Sequence, residues 1–173
     1  DFESVIPGVQ AGKFDVGMSG ITITEKRKEN VDFSEPYFLA AQTIVVPAGS
    51  GISCKADLDG KKISVQTGTT AEDYCMENGY DVLAFTSNND AAAALTGGKV
   101  DAWVVDNEVA VAMAGPLGLV TLEEAMTTEP YAFAFAKGSD ELVSAVNAAL
   151  DEMLADGTVA DIFAAWGVSY VAP

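Results

Sequence analysis

The sequence predicts an α/β fold with a largely parallel sheet. From residue 55 onward, short apolar runs typical of buried strands alternate with segments of helical periodicity, separated by Gly, Asn, Asp and Pro residues. Parallel strands need a crossover that is usually a helix, so this alternation indicates strand–helix–strand units. A chain of 173 residues can form one domain or two small lobes.

The first part of the chain is predicted to contain one short helix and two strands. The helix ends at Gly12, and apolar residues share one of its faces: Phe2, Val5, Ile6 and Val9. A strand over residues 14–18 then ends in a small-residue elbow at Ser19-Gly20, and Thr24 can cap a short charged turn. Residues 43–46 are expected to form a second apolar strand.

Further strands and helices follow from the same periodicities. We expect strands over residues 62–66, 81–85, 100–105 and 119–122. Helices are expected over residues 71–78, 91–95 and 106–114, the second of them capped by Asn89 or Asp90. The tail is predicted to be helical, with one apolar face running from Leu142 to Leu154 and a shorter helix capped by Thr158.

The composition excludes several classes of function. Asp and Glu number 26 against 9 Lys and Arg, for a formal net charge of −17, which disfavours nucleic acids and anionic membranes as partners. There is no His, so Ser-His-Asp catalysis and His-ligated zinc are excluded. No apolar run approaches the ~18 residues that a membrane span needs. We expect neither a metal nor a cofactor.

The two cysteines, Cys54 and Cys75, are too few and too far apart for a zinc cluster. They allow two alternatives, a disulfide in an exported protein or two separate buried thiols. We favour the disulfide, because the features given below place the protein outside the cytoplasm.

Three features of the sequence could form one site for a zwitterion. Arg27 can bind a carboxylate through two hydrogen bonds, and the backbone N–H groups of Gly68-Thr69-Thr70 lie at a predicted helix start, where anions bind. Asp106 offers a negative charge for an ammonium group. Each feature also has a purely structural interpretation: a surface salt bridge for Arg27, and helix caps for the Gly-Thr-Thr loop and Asp106.

These residues belong to a longer series of motifs that runs through nearly the whole chain. The series comprises DFESVIP at 1–7, QAGKFD at 10–15, GITIT at 20–24 with Arg27, DFSEPY at 32–37, DLDGK at 57–61, QTGTT at 66–70, GKVDA at 98–102, Asp106, DGT at 156–158 and WG at 166–167. With these motifs in this order, the chain resembles the amino-acid-binding, family 3 extracellular solute-binding proteins of bacterial ABC transporters.

The resemblance implies a type II periplasmic-binding-protein-like fold, in which two lobes with mixed or mostly parallel sheets close around an amino acid in a cleft. Residues 1–43 and 132–173 would form lobe 1, and residues 44–131 would form lobe 2. Family members begin with a further segment that completes lobe 1, so lobe 1 would be N-terminally truncated here. A dimer mate or a complementing segment would then supply the missing part.

The same resemblance implies the ligand-binding residues. The positions that would bind the ligand carboxylate from lobe 1 are Gly20, Thr22 and Arg27. The positions that would contribute from lobe 2 are Thr69, Thr70 and Asp106, with Asp106 pairing the ligand ammonium. Four further positions match contacts to the ligand side chain: Phe2, Ser19, Gln66 and Val105.

The resemblance favours capture of a free amino acid for delivery to the membrane permease of an ABC importer. This would take place in the periplasm or outside the cell, including on a cell-surface lipoprotein. Gln66 and Val105 offer no counter-charge for an acidic side chain, so a polar or basic amino acid is the expected ligand. Two alternatives stay open beside this binding protein: a cyclohexadienyl or arogenate dehydratase-like enzyme with Glu35 or Glu129 as general acid, and the sensor module of a receptor.

Overall fold

The computed structural model describes residues 1–173 as seven α-helices and nine β-strands. The helices are α1 (Val5–Gln10), α2 (Glu25–Lys28), α3 (Thr70–Glu77), α4 (Asn88–Thr96), α5 (Asn107–Met113), α6 (Asp140–Ala155) and α7 (Thr158–Ala165). The strands are β1 (Gly17–Thr22), β2 (Val31–Phe33), β3 (Phe38–Ala40), β4 (Gln42–Pro47), β5 (Lys62–Gln66), β6 (Asp81–Phe85), β7 (Ala102–Asp106), β8 (Leu119–Thr121) and β9 (Glu129–Ala136). None of the helices is long and apolar enough to cross a membrane.

The chain divides into two compact units. The central unit contains Asp1–Glu3 and Ala41–Thr128. The terminal unit contains Ser4–Ala40 and Glu129–Pro173, so it is assembled from both ends of the chain.

The sheet of the central unit has the strand order β6-β5-β7-β4-β8. β5 runs parallel to β6 and β7, whereas β4 is antiparallel to β7 and β8. Successive residues of β4 point to opposite faces: Ile44 packs in a core with Ala71 of α3, and Val45 packs in a core with Ala91 of α4. Helices therefore cover both faces, and the predicted α/β fold is confirmed. The pairing in this sheet is mixed, not largely parallel as the alternation of strands and helices suggested.

The sheet of the terminal unit is organised around β9, which pairs antiparallel with β1, β2 and β3. β9 buries Ala132, Ala134 and Phe135 completely. The rings of Phe38 and Phe163 stack with their centroids 4.4 Å apart, which attaches α7 to β3. The sequence analysis predicted only helices in the tail and missed β9.

The strand predicted over residues 14–18 lies further along the chain, as β1. Phe14 does not join the sheet, because its half-exposed ring packs over Gly8 of α1. The Ser19-Gly20 elbow consequently lies inside β1 and does not end a strand. Gly20 has φ +56° and the pairing of β1 with β9 is irregular in this region, so the elbow is a bulge.

Two helix starts also differ from the prediction. Ser87 caps α4, because its Oγ accepts a hydrogen bond from the N–H of Asp90 at 3.1 Å, and Asn89 lies inside the helix. Gly157, in the left-handed conformation, precedes α7, and Thr158 is the first residue of that helix. The predicted caps were therefore wrong in both cases, although both helices exist.

The expected disulfide is not formed, since Cys54 and Cys75 are both free thiols. Cys54 Sγ lies 3.6 Å from the Asp57 carboxylate, whereas Cys75 is completely buried in the core beside α3. Burial raises the pKa of Cys75 to about 12, which keeps this group protonated and unreactive. Of the two alternatives, separate thiols are the one observed.

Candidate functional site

Arg27 lies in the terminal unit, in the one-turn helix α2 that follows β1. Thr24 caps this helix, because its Oγ1 accepts a hydrogen bond from the Arg27 N–H at 3.1 Å. The guanidinium turns back towards the strand, where Nη1 donates to the carbonyl of Thr22 at 2.9 Å. A guanidinium carries five N–H donors in a rigid fork, so holding one of them on a carbonyl orients the others. The backbone on either side of Arg27 therefore fixes the direction of this cation.

The bulge in β1 lies next to this cation along the chain. Gly20 is in the left-handed region, and a Cβ at this position would come within 3.1 Å of the Tyr131 ring. Both the backbone conformation and the aromatic neighbour therefore require glycine here. Ser19 is exposed, and Thr22 is 4% exposed. The structure thus places four of the predicted site residues on one strand and the turn after it.

The Gly-Thr-Thr loop of the central unit connects β5 to α3. The Gly68 N–H donates to the Glu72 carboxylate at 2.7 Å. Thr69 caps α3, since its Oγ1 accepts from the Glu72 N–H at 3.3 Å and donates to the Gln66 carbonyl at 2.7 Å. Thr70 is the first residue of α3, and its hydroxyl accepts a hydrogen bond from the side chain of Gln42 at 3.1 Å. The predicted role of helix cap is therefore observed for Thr69, whereas the hydroxyl of Thr70 bonds the side chain of Gln42.

Asp106 ends β7 and occupies the N-cap position of α5, but its side chain makes no capping hydrogen bond. Its carboxylate accepts instead from Nε2 of Gln42, a residue with no exposed surface on the neighbouring strand β4. The same Nε2 bonds Thr70, so one buried amide joins the start of α3 to the end of β7. The structure brings Thr70 and Asp106 together within the central unit, and Thr69 precedes Thr70 in the chain.

Two further predicted contacts also lie in the central unit. The Gln66 side chain donates from Nε2 to the carbonyl of Thr86 at 3.0 Å, which ties it to the loop after β6. Phe2 is half-buried in a short 3-10 turn over Phe2–Ser4. Next to it along the chain, Glu3 lies against the Gly-Thr-Thr loop, where a Cβ on Gly68 would come within 3.1 Å of the Glu3 Cα.

Sequence reasoning missed Gln42, because the strand was predicted to begin one residue later at Thr43. The sequence contained a local signal for this residue. Gln42 directly precedes Thr-Ile-Val-Val, four residues that are typical of a buried strand, and an amide in that position is notable. Its partner Asp106 is 64 residues away, and no periodicity reports a contact of that range. The fold supplies the contact by pairing Gln42 with Asp106 across β4 and β7.

Glu108 in the first turn of α5 is the most perturbed acid of this region. Burial, with the nearby charge of Asp106 as a lesser cause, raises its pKa to about 7. Its Oε2 is buried and has no hydrogen-bond partner. Glu108 therefore carries a proton for part of the time near neutral pH. No group of three or more His, Cys, Asp or Glu side chains is arranged to hold a metal ion.

The chain consists of two α/β units, each assembled around its own sheet and each carrying candidate polar groups. The chain belongs to the bacterial extracellular solute-binding proteins, family 3, whose sequence profile matches residues 1–169. The resemblance given by the motifs is thereby confirmed.

Relatives and solved structures agree with this membership. The chain is 36% identical to the ABC transporter glutamine-binding protein GlnH of Bacillus subtilis (strain 168) over 165 residues, which cover 93% of this chain and 60% of the relative. It matches an ancestral arginine-binding protein bound to arginine with a TM-score of 0.89 and 43% identity, covering 96% of this chain and 77% of the other. It also matches the ancestral amino acid-binding protein AncCDT-1, a precursor of cyclohexadienyl dehydratase, with a TM-score of 0.87 and 39% identity, covering 95% of this chain and 74% of the other. The chain spans 60–66% of the length of the curated relatives.

Proposed function

We propose that this chain binds a free amino acid for delivery to the membrane permease of an ABC importer, in the periplasm or at the outer cell surface. The observation that carries the proposal is the carboxylate of Asp106. It stands at the start of a helix without capping it, and a buried amide holds it in place. A carboxylate fixed in this way is suited to pair an ammonium group.

The second half of the proposal concerns the ligand carboxylate. Arg27 is the cation of the terminal unit that lies beside the β1 bulge, and its guanidinium is oriented by the Thr22 carbonyl. In the central unit the start of α3 adds backbone N–H groups, whose partial positive charge also favours an anion. A free amino acid carries the group that each set prefers, a carboxylate for the donors and an ammonium for Asp106.

A polar or basic amino acid fits the chemistry best. The formal net charge of −17 attracts cationic solutes and repels acidic ones. The similar proteins carry glutamine and arginine in their names, and both are uncharged or basic in the side chain. L-arginine and L-glutamine are therefore the ligands to test first.

A thermal-shift screen against the twenty amino acids tests the proposal. A ligand at 100 times its Kd stabilises the native state by about 2.7 kcal/mol, which raises the Tm of a chain of this size by about 5–11 °C. We expect such a shift with L-arginine or L-glutamine and none with L-glutamate. A cooperative melt that no amino acid displaces would overturn the proposal.

We also propose that a dimer mate or a complementing segment completes the terminal unit. β1 is at the edge of its sheet, and Met18 on this strand is 63% exposed. Exposed strand edges pair readily with strands of other chains. Light scattering on the purified chain distinguishes a dimer from a monomer, and a monomer leaves the complementing segment as the partner to seek.

A dehydratase is the second candidate function, favoured by the match to the precursor of cyclohexadienyl dehydratase. Such an enzyme needs a general acid. Of the two acids that the sequence suggested, Glu35 is exposed and Glu129 is 3% exposed in β9. Glu108, with its pKa near 7, is better suited to hold a proton. Incubation with prephenate tests this candidate, which is abandoned if the wild-type chain converts none. Equal nonzero rates of wild type and Glu108→Gln would exclude Glu108 as the general acid.

A further inference from the structure

Gln42 is the most deeply buried polar side chain beside the candidate site. It has no exposed surface, and its backbone is fixed on both sides by hydrogen bonds. The Gln42 N–H donates to Thr127 Oγ1 at 3.0 Å, and the Gln42 carbonyl accepts from the Met126 N–H at 2.8 Å. A side chain held this firmly can set the position of its neighbours.

The orientation of the Gln42 amide follows from its partners. Nε2 has two N–H groups, one directed to the Asp106 carboxylate and the other to the Thr70 hydroxyl. The reversed amide would place Oε1 against the carboxylate, and two acceptors would then repel each other. In the observed orientation Oε1 is buried without a hydrogen-bond partner. The fold therefore tolerates an unsatisfied carbonyl oxygen in order to keep both donors on these two residues.

Asp106 has a local alternative to this contact. It occupies the N-cap position of α5 with φ −59° and ψ 137°, and Asp is among the residues most favoured as caps. A capping carboxylate would accept from the N–H groups of the first turn, at Glu108 or Val109, and would then point into the helix start. The observed carboxylate makes no capping hydrogen bond and accepts one from Gln42 Nε2.

We propose that Gln42 is a positioning residue, which keeps the Asp106 carboxylate from capping α5 and ties it to Thr70, so that both face the backbone of a bound amino acid. The proposal rests on the proposed function for the identity of the ligand. It extends that function by naming the residue that holds the ammonium-binding carboxylate ready before the ligand arrives.

The first part of the experiment needs no ligand. Gln42→Met keeps the shape and removes both donors. In a crystal structure of this variant we expect the Asp106 carboxylate to accept hydrogen bonds from the first turn of α5. Amide hydrogen exchange at Glu108 and Val109 should slow accordingly. Thr43→Val is the matched control, because it removes a buried hydrogen bond to the Leu122 carbonyl from the next residue of the same strand.

The second part measures binding of L-arginine and L-glutamine by calorimetry. We expect Gln42→Met to weaken the affinity of the wild-type ligand about tenfold and Thr43→Val to leave it unchanged. In the Asp106→Asn background Gln42→Met should cause no further loss, since its effect acts through the carboxylate.

The outcomes separate this inference from the proposed function. An Asp106 carboxylate that stays in place in Gln42→Met overturns the positioning role, whatever the ligand. The positioning role is also overturned if the affinity losses of Gln42→Met and Asp106→Asn add fully in the double variant. If the wild-type chain binds neither amino acid, the proposed function fails, while the crystal structure and the exchange rates still decide whether Gln42 directs Asp106.

Discussion

The two groups of candidate residues are built in different ways. In the central unit, Thr70 and Asp106 are at the ends of core elements and are joined by an amide with no exposed surface. In the terminal unit, Arg27 lies on a helix of four residues, and its guanidinium donates to the carbonyl of Thr22 in the preceding strand. Thr70 and Asp106 are held by a residue of a buried strand, whereas Arg27 is held by backbone close to it in the chain. We therefore expect the proposed ammonium site at Asp106 to depend on the packing of the core, and the proposed carboxylate site at Arg27 to depend on its local backbone.

Among these variants, Asp106→Asn should cause the largest loss of ligand affinity. The variant keeps the shape and removes the charge, so we expect the affinity for L-arginine to fall about 100-fold or more, because losing one partner of a desolvated charge pair costs about 2–5 kcal/mol. Calorimetry measures the loss. Asp81→Asn is the control, since Asp81 is exposed and its Oδ2 lies 3.9 Å from Nζ of Lys62 at the surface. Wild-type affinity in Asp106→Asn would contradict the assignment.

Arg27→Lys should have a smaller effect, because the charge remains and only the planar fork of donors is lost. We expect the affinity for L-arginine to fall about tenfold, and Arg27→Ala to lower it further. Equilibrium titration of both variants measures the difference. Lys28→Ala removes a neighbouring cation that pairs with Glu25 at the surface, and it should bind as wild type does. Equal affinity of Arg27→Lys and wild type would show that the guanidinium geometry is not used.

Gly20→Ala tests the terminal unit through its stability. The left-handed backbone costs a residue with a Cβ about 1–2 kcal/mol, and the Tyr131 ring 3.1 Å away adds to this. Gly12→Ala provides the comparison, because Gly12 has φ +66° with no atom within 4 Å of the new Cβ. Urea unfolding should show a larger decrease in the free energy of unfolding for Gly20→Ala than for Gly12→Ala. Equal losses would mean that the aromatic contact is unimportant.

Glu108→Gln should have the smallest effect, visible as a pH dependence. Burial raises the pKa of Glu108 from the ordinary glutamate value of 4.5 to about 7, so the folded state binds the proton more tightly. This contribution to stability is complete below pH 4.5 and is lost as the pH rises through 7. We expect the free energy of unfolding of wild type to fall by about 1 kcal/mol more than that of Glu108→Gln between pH 5 and 8, since solvent screens a partly exposed group.

Acids with lowered pKa values act in a different pH range from Glu108. The hydrogen bond from Lys137 lowers the pKa of Asp32, so its contribution is present at neutral pH and is lost only under acidic conditions. If the free energies of unfolding of wild type and Glu108→Gln change by the same amount between pH 5 and 8, the role given to Glu108 is wrong.

Local sequence signals predicted the central unit well. The strands over residues 62–66 and 81–85 have the predicted bounds, because compact apolar runs end at turn residues there. The Gly-Thr-Thr loop was placed correctly before α3 for the same reason. The family motifs located the residues of both candidate groups.

Prediction failed where distant partners decide the structure. β9 mixes aromatic residues with Ala, and it is a strand because it pairs with β1, β2 and β3 from the other end of the chain. Phe14 looked like a strand residue but packs on Gly8. Gln42 contacts Asp106, which lies 64 residues away, and no short window of sequence contains such a contact.

The discontinuous terminal unit has a consequence for how the protein is made. Val31 of β2 pairs with Ala136 of β9, and Phe38 of β3 pairs with Tyr131. A ribosome therefore produces three outer strands long before the strand on which all of them assemble. The central unit, residues 41–128, can fold in the interval, since its segments are nearly contiguous. The early strands lack their native partner until β9 is made, so we expect their sheet to form after the central unit.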